Sequence, residues 1–135
     1  MNNQDLRKAG LKVTAPRLKI LQLFENSKKQ HFNADEIYQA LLDAGEDVSL
    51  ATIYRVLTQF VEAGLVIRHN FEGGYSVFEL NLGEHHDHLV CVKCGKVIEF
   101  VDNMIEDRQR EIAVKNGFQM TDHSLIIYGV CQKCV

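Results

Sequence analysis

Apolar residues return every third or fourth position through the first half of the chain and then switch to alternation. That change of period predicts helices first and a β-hairpin after them. Residues 3 to 9 read as a short basic helix ended by Gly10. Thr14 is a good N-cap, Pro16 lies in a first turn where its missing N–H costs little, and Leu18, Leu21 and Phe24 carry a second helix to about Asn26. Asn33 followed by Glu36 forms a capping-box pattern for a third helix, with Ile37, Leu41 and Leu42 on its apolar side and Gly45 as its stop. Ser49 caps a fourth, whose inner face is Leu50, Ile53, Leu57, Phe60, Val61 and Gly64. Leu65 to His69 and Tyr75 to Leu80 then read as two strands joined by a Glu72-Gly73-Gly74 turn.

Three helices followed by a hairpin make the winged-helix form of helix-turn-helix, in which the fourth helix would be the reading helix. Its outer face carries Ala51, Thr52, Tyr54, Arg55, Thr58 and Gln59, with one guanidinium and no acid. Hydroxyl, phenol, amide and guanidinium groups are those that reach phosphates and base edges, although a solvated helix face has the same composition. Arg68 on the hairpin is placed to touch a phosphate.

Asn81-Leu82-Gly83-Glu84 is a polar connection. Beyond it, His88 to Val92 and Val97 to Val101 read as strands. Asp102 or Asn103 caps a helix using Ile105, Ile112 and Ala113, Gly117 closes it, and 118–121 and 125–130 read as two further strands. The expected fold is therefore α+β: a winged-helix DNA-binding domain over 1–80, a hinge at 81–84 and a small α/β domain over 85–135. A unit of about fifty residues has a marginal core unless metal or a second copy adds to it.

Composition changes this picture little. The chain of 135 residues is 46% apolar, enough for real cores, and its formal net charge of -3 does not itself indicate nucleic acid. Charge is uneven, however: Arg7, Lys8, Lys12, Arg17, Lys19, Lys28 and Lys29 face only Glu25 over the same stretch. A basic head on an acidic body suits a local DNA-facing surface. No apolar run has membrane-spanning length and the start lacks a signal-peptide pattern, so a cytoplasmic protein with no membrane partner is expected. In that compartment four cysteines point to metal before disulfide.

The chemistry concentrates between His85 and Cys94. Cys91-x-x-Cys94 has a partner in Cys131-x-x-Cys134, and two such pairs signal a tetrahedral Zn2+ with no open position, hence structural. His85, His86, Asp87 and His88 form a second donor set, with His31, Glu79, Glu99, Glu106 and His123 as distant candidates. Imidazole with carboxylate suits Fe2+, Mn2+, Co2+ or Zn2+. In an extended segment His86 and His88 share one face and His85 and Asp87 the other, so one run can feed two sites. A polar loop with fortuitous histidines is the competing reading of the spacing.

The chain closely resembles the ferric uptake regulator family over essentially its whole length. The most specific matches are Ala51-Thr52-Ile53-Tyr54-Arg55-Val56-Leu57, Arg68-His69-Asn70-Phe71-Glu72-Gly73-Gly74, His85-His86-Asp87-His88 and Cys91-x-x-Cys94-Gly95. The resemblance implies a metal-dependent transcriptional repressor, without enzymatic activity or a small organic substrate. It would bind an AT-rich inverted repeat of double-stranded DNA as a homodimer or tetramer, and in the iron-sensing branch it would control iron uptake genes with Fe2+ as co-repressor. Position by position, it implies a regulatory metal on His31, Glu79, His86, His88 and Glu99. A further site falls on His85, Asp87, Glu106 and His123, and structural zinc on Cys91, Cys94, Cys131 and Cys134. The matching DNA contacts are Lys12, Tyr54 and Arg55, alongside Thr52 and Arg68 from the reading of the helix and wing. The C-terminal unit would be the dimerisation domain. Glu99, where peroxide sensors tend to carry aspartate, favours iron. Zinc-, manganese- or peroxide-responsive relatives on the same scaffold remain open, as does a metalloenzyme or metal store without DNA binding.

Overall fold

The computed structural model describes residues 3–28, 31–83 and 85–135; Lys29 of the basic head and Glu84 of the expected hinge lie outside the described residues. The chain divides into two compact units, Met1–Gly83 and Glu84–Val135.

The first unit runs α1 (Asn3–Lys8), α2 (Ala15–Asn26), α3 (Ala34–Asp43), α4 (Leu50–Glu62), β1 (Val66–Phe71) and β2 (Tyr75–Leu80). Each main helix starts where a side chain satisfies its free N–H groups. Thr14 Oγ1 accepts from Arg17 N–H, Asn33 and Glu36 form a reciprocal capping box, and Ser49 Oγ accepts from Thr52 N–H. Ile20, Leu21, Phe24, Ile37, Leu41, Ile53, Leu57 and Phe60 converge on one core, each worth about 1.5–3 kcal/mol when fully buried. Val56 is also buried, whereas Leu42 is exposed. β1 and β2 form an antiparallel hairpin in which Phe71 faces Tyr75 across a turn whose Gly73 and Gly74 both have positive φ. Three helices and this wing make a winged helix. An antiparallel bridge between Phe32 and Phe78 ties the start of α3 to the wing.

The second unit contains β3 (Asp87–Cys91), β4 (Val97–Phe100), α5 (Asn103–Lys115) and β5 (Ile126–Gly129). The sheet order is β4-β3-β5, with β3 antiparallel to β4 and parallel to β5. Asp102, rather than Asn103, caps α5 by accepting from Met104 and Ile105 N–H. The strand expected over 118–121 does not form; alternation alone does not make a strand without an edge to pair with, and Phe118 is exposed. Ile105, Ile112 and Ala113 do not form a covered face either, since α5 has no buried residue. Among the described residues of this unit only Val90 and Cys91 are buried apolar side chains. No helix among the described residues is long and apolar enough to cross a membrane.

Candidate metal centres and nucleic-acid interface

The four cysteines meet because β5 lies parallel to β3. Cys91 pairs with Gly129, Val92 N–H donates to Gly129 O, and the chain leaving β5 delivers Cys131 beside Cys91. Gly95, with φ of +77°, lets the turn after Cys91 close, and its N–H donates to Cys91 O. Cys94 and Cys131 both donate their backbone N–H to Cys91 Sγ at 3.4 Å. Cys94 Sγ lies 3.7 Å from Cys131 Sγ, which lies 3.5 Å from Cys134 Sγ. A tetrahedron with Zn–S bonds of about 2.3 Å has S–S edges of about 3.8 Å, so the thiols stand at zinc-binding separations. The backbone N–H groups of Cys131 and then Cys94 pull the Cys91 thiol down to about 6. The Cys134 thiol, facing the Cys131 sulfur and then that of Cys94, is pushed up to about 12. One sulfur is thus already favoured as thiolate while another keeps its proton, the division expected of closely spaced thiols that a divalent cation would neutralise together.

The second cluster of this unit lies on His85, Asp87, Glu106 and His123, whose donor atoms all fall within 4.8 Å of one another. His85 Nε2 is 3.1 Å from Asp87 Oδ1 and 3.7 Å from Glu106 Oε1, and the His85 and His123 rings are 4.0 Å apart. Asp87 is 1% exposed and its Oδ2 has no hydrogen-bond partner among the described residues; the same holds for His123 Nε2. A buried carboxylate with an unmet oxygen is costly, and a cation removes that cost. These residues fit a divalent ion.

Alternation along β3 turns His88 away from Asp87, and His86, just before the strand, lies beside His88. His86 Nε2 lies 3.2 Å from Glu99 Oε1, the His86 and His88 rings are 4.9 Å apart, and His88 pairs with Glu99 across β3 and β4. The remaining two candidates belong to the first unit, where the Phe32–Phe78 bridge brings His31 Nε2 to 3.1 Å from Glu79 Oε2. Both are buried. A residue missed at the level of sequence joins them: His69 Nε2 is 2.5 Å from Glu79 Oε1. The hairpin register could have revealed it, because His69 and Glu79 lie on the same face, diagonally across the two strands.

The candidate DNA face is exposed. Tyr54, Arg55, Lys12 and Arg68 are open to solvent, and Thr52 is half-buried. Arg55 Nη2 donates to Thr52 Oγ1, and Arg68 stacks over the Phe78 ring while donating to Thr58 Oγ1, which couples the wing to α4. Gln59 does not belong to the open face: Arg17 donates from Nε and Nη2 to its Oε1 and from Nη1 to the Lys12 carbonyl. The helical wheel put Gln59 among the outer residues and could not show that a neighbouring helix would claim its oxygen.

The family model of the ferric uptake regulators matches residues 8–128. The chain belongs to the ferric uptake regulator family. A ferric uptake regulation protein of Legionella pneumophila is 64% identical over 132 residues, covering 98% of this chain and 97% of its own length. Among solved structures, the ferric uptake regulator of Vibrio cholerae superposes with a TM-score of 0.91 at 60% identity, covering 96% of this chain and 98% of that one. That of Pseudomonas aeruginosa, solved with manganese, gives 0.82 at 55% identity and covers 98% of both chains. These similarities place the chain in the iron-sensing branch of the family, whose winged helix is the DNA-binding domain and whose cysteine cluster suits structural zinc.

Proposed function

We propose that this chain is a cytoplasmic, Fe2+-responsive transcriptional repressor that binds an AT-rich inverted repeat as a homodimer and controls iron uptake genes. The observation that carries the reading is the His31–Glu79 pair, an imidazole and a carboxylate buried at the edge of the winged helix itself. The complementary donors, His86, His88 and Glu99, stand on β3 and β4 of the other unit. A divalent ion supplies, when bound, a charge that imidazole and carboxylate donors from both units can share. His31 and Glu79 then bind for the DNA reader and His86, His88 and Glu99 for the partner unit. Their joint ligation restricts the angle of the reading helix, and in a dimer that angle must match the spacing of two half-sites. By linkage, DNA tightens metal binding by the same factor that metal tightens DNA binding; a coupling of about 3 kcal/mol is roughly a hundredfold.

Lys12, Thr52, Tyr54, Arg55 and Arg68 carry the DNA contacts in this reading, Lys12 and Arg68 to phosphate and the α4 residues to bases. The homodimer is supported by an apolar row across the sheet, in which Ile98, Leu89 and Ile127 are paired neighbours and all exposed. A unit with so few buried apolar side chains gains its core by covering that row with a second copy. His85, Asp87, Glu106 and His123 hold an additional divalent ion. No enzymatic role is assigned: the closed thiolate site leaves no position for substrate, and the family consists of transcription regulators.

The test is a DNA-binding titration at fixed salt with zinc-loaded protein and an AT-rich inverted-repeat duplex, adding Fe2+ anaerobically and, separately, Mn2+ and Zn2+. Activation by Fe2+ and Mn2+ at micromolar levels, with two chains per duplex by sedimentation, is the expected result. Activation by Zn2+ alone at far lower concentration would make the protein a zinc sensor.

A further inference from the structure

The Glu79 carboxylate is shared by two imidazoles of its own unit. Oε2 lies 3.1 Å from His31 Nε2, and Oε1 lies 2.5 Å from His69 Nε2. The resemblance gives His31 a ligand role; His69 has none. Yet its position is well determined. His69 faces Val77 and Glu79 faces Ile67 in the hairpin register, so the two side chains meet diagonally on one face. The His69 ring lies parallel to that of Phe71, 5° between planes and 6.2 Å between centroids. The side chains of Glu79 and His69 are 4% and 19% exposed, so little water competes for the bond between them.

The two imidazole contacts differ in kind. To hydrogen-bond a carboxylate, an imidazole must carry its proton on the facing nitrogen. The approach of His31 Nε2 to Oε2 is a 3.1 Å contact without hydrogen-bond geometry, so no hydrogen bond between them has to break for both atoms to face a cation. His69 Nε2 does stand at hydrogen-bond distance from Oε1, and an N–H there can donate to Oε1 while Oε2 faces a cation.

We propose that His69 is a positioning residue for the regulatory metal, holding Oε1 so that Glu79 presents Oε2 alone. Glu79 is then a one-oxygen ligand, and the number of donors around the ion is one fewer than a chelating carboxylate would give. Donor number and geometry are what discriminate between divalent ions of similar intrinsic affinity, so His69 bears on metal choice as well as strength. The inference rests on Glu79 being a ligand, as proposed above.

The test uses full-length, zinc-loaded protein with Co2+ as spectroscopic probe and Mn2+ for affinity. His69→Leu should change the Co2+ ligand-field spectrum and weaken Mn2+ binding by roughly ten- to hundredfold, the usual range for a lost outer partner of a ligand. His69→Gln, whose side-chain N–H can reach the same oxygen, should restore both. Glu79→Ala is run alongside. If Glu79→Ala alters the spectrum but His69→Leu does not, or if Gln behaves like Leu, the positioning role is overturned and the ligand reading stands. If neither variant alters it, both fall. A measurement on the unaltered protein is independent of variant folding: nitrogen-15 NMR of the Zn2+-saturated protein should show His69 carrying a proton on Nε2. A metal-bound Nε2 would overturn the proposal.

Discussion

Phe32 and Phe78 exchange both backbone hydrogen bonds, at 3.0 and 2.7 Å, and this one bridge sets His31 opposite Glu79. The ring of Phe78 is 2% exposed and also lies under Arg68. Phe78→Ala should therefore cost the first unit about 3–5 kcal/mol in urea unfolding, the usual range for an emptied phenylalanine site. The zinc content should not change, because the cysteines lie in the other unit. Loss of zinc, or an unmoved midpoint, would show that the bridge does not play this part.

Glu79→Ala removes a buried carboxylate from between two imidazoles. Its metal-dependent DNA binding should weaken by more than the ten- to hundredfold typical of an outer-shell change, with zinc retained. Asp87→Ala, in the separate cluster of the other unit, should leave most of that response intact. A larger defect in Asp87→Ala, measured by the same gel-shift titration against Mn2+, would transfer the sensing role to the second cluster.

On the DNA face the two kinds of contact separate by salt. Lys12→Ala should weaken binding to all duplexes alike and reduce the salt slope by about one phosphate contact. Tyr54→Ala should cost about 1–3 kcal/mol on the operator, relax discrimination at one base position and leave the slope unchanged. Arg17→Ala should resemble Lys12→Ala, since Arg17 holds the Lys12 carbonyl and α4 in place through Gln59. A slope unchanged in Lys12→Ala would remove that residue from the interface.

Much of the first unit was legible because its signals are local. Thr14, Asn33 and Ser49 mark helix starts by side-chain chemistry that needs no distant partner, and the period of Leu21, Ile53 and Phe60 reports which side is covered. Leu42 was misjudged, and Val56 left unassigned, because apolar character does not say which of two neighbouring stripes the core reaches. Legibility fell in the second unit, where Ile112 and Phe118 carry apolar signals yet stay exposed. The candidate ligands were visible as residue types, and alternation along β3 explains why Asp87 and His88 serve different clusters. His69 was not visible as part of a site, because its role depends on the register of two strands and on the burial of Glu79.

Stripping zinc with a chelator should unfold the second unit selectively. Amides of β3, β4 and β5 should lose hydrogen-exchange protection while those of α2, α3 and α4 keep theirs. Cys134→Ser should behave as the chelated protein does, with zinc lost. Protection retained across β3 in the zinc-free protein would mean that the sheet stands without its ion.

The parallel pairing of Cys91 with Gly129 bears on the time course of folding. The helices of the first unit form from contacts close in sequence, whereas β5 must travel back along the chain, past α5, before it can lie beside β3. Contacts of such separation form late, and here the sulfur cluster is what rewards them. Stopped-flow refolding should show a fast phase indifferent to zinc and a slow one that zinc accelerates. A cell short of zinc would then accumulate chains that can still recognise half an operator but cannot pair, so zinc supply would limit the yield of working repressor before iron has any say in its activity.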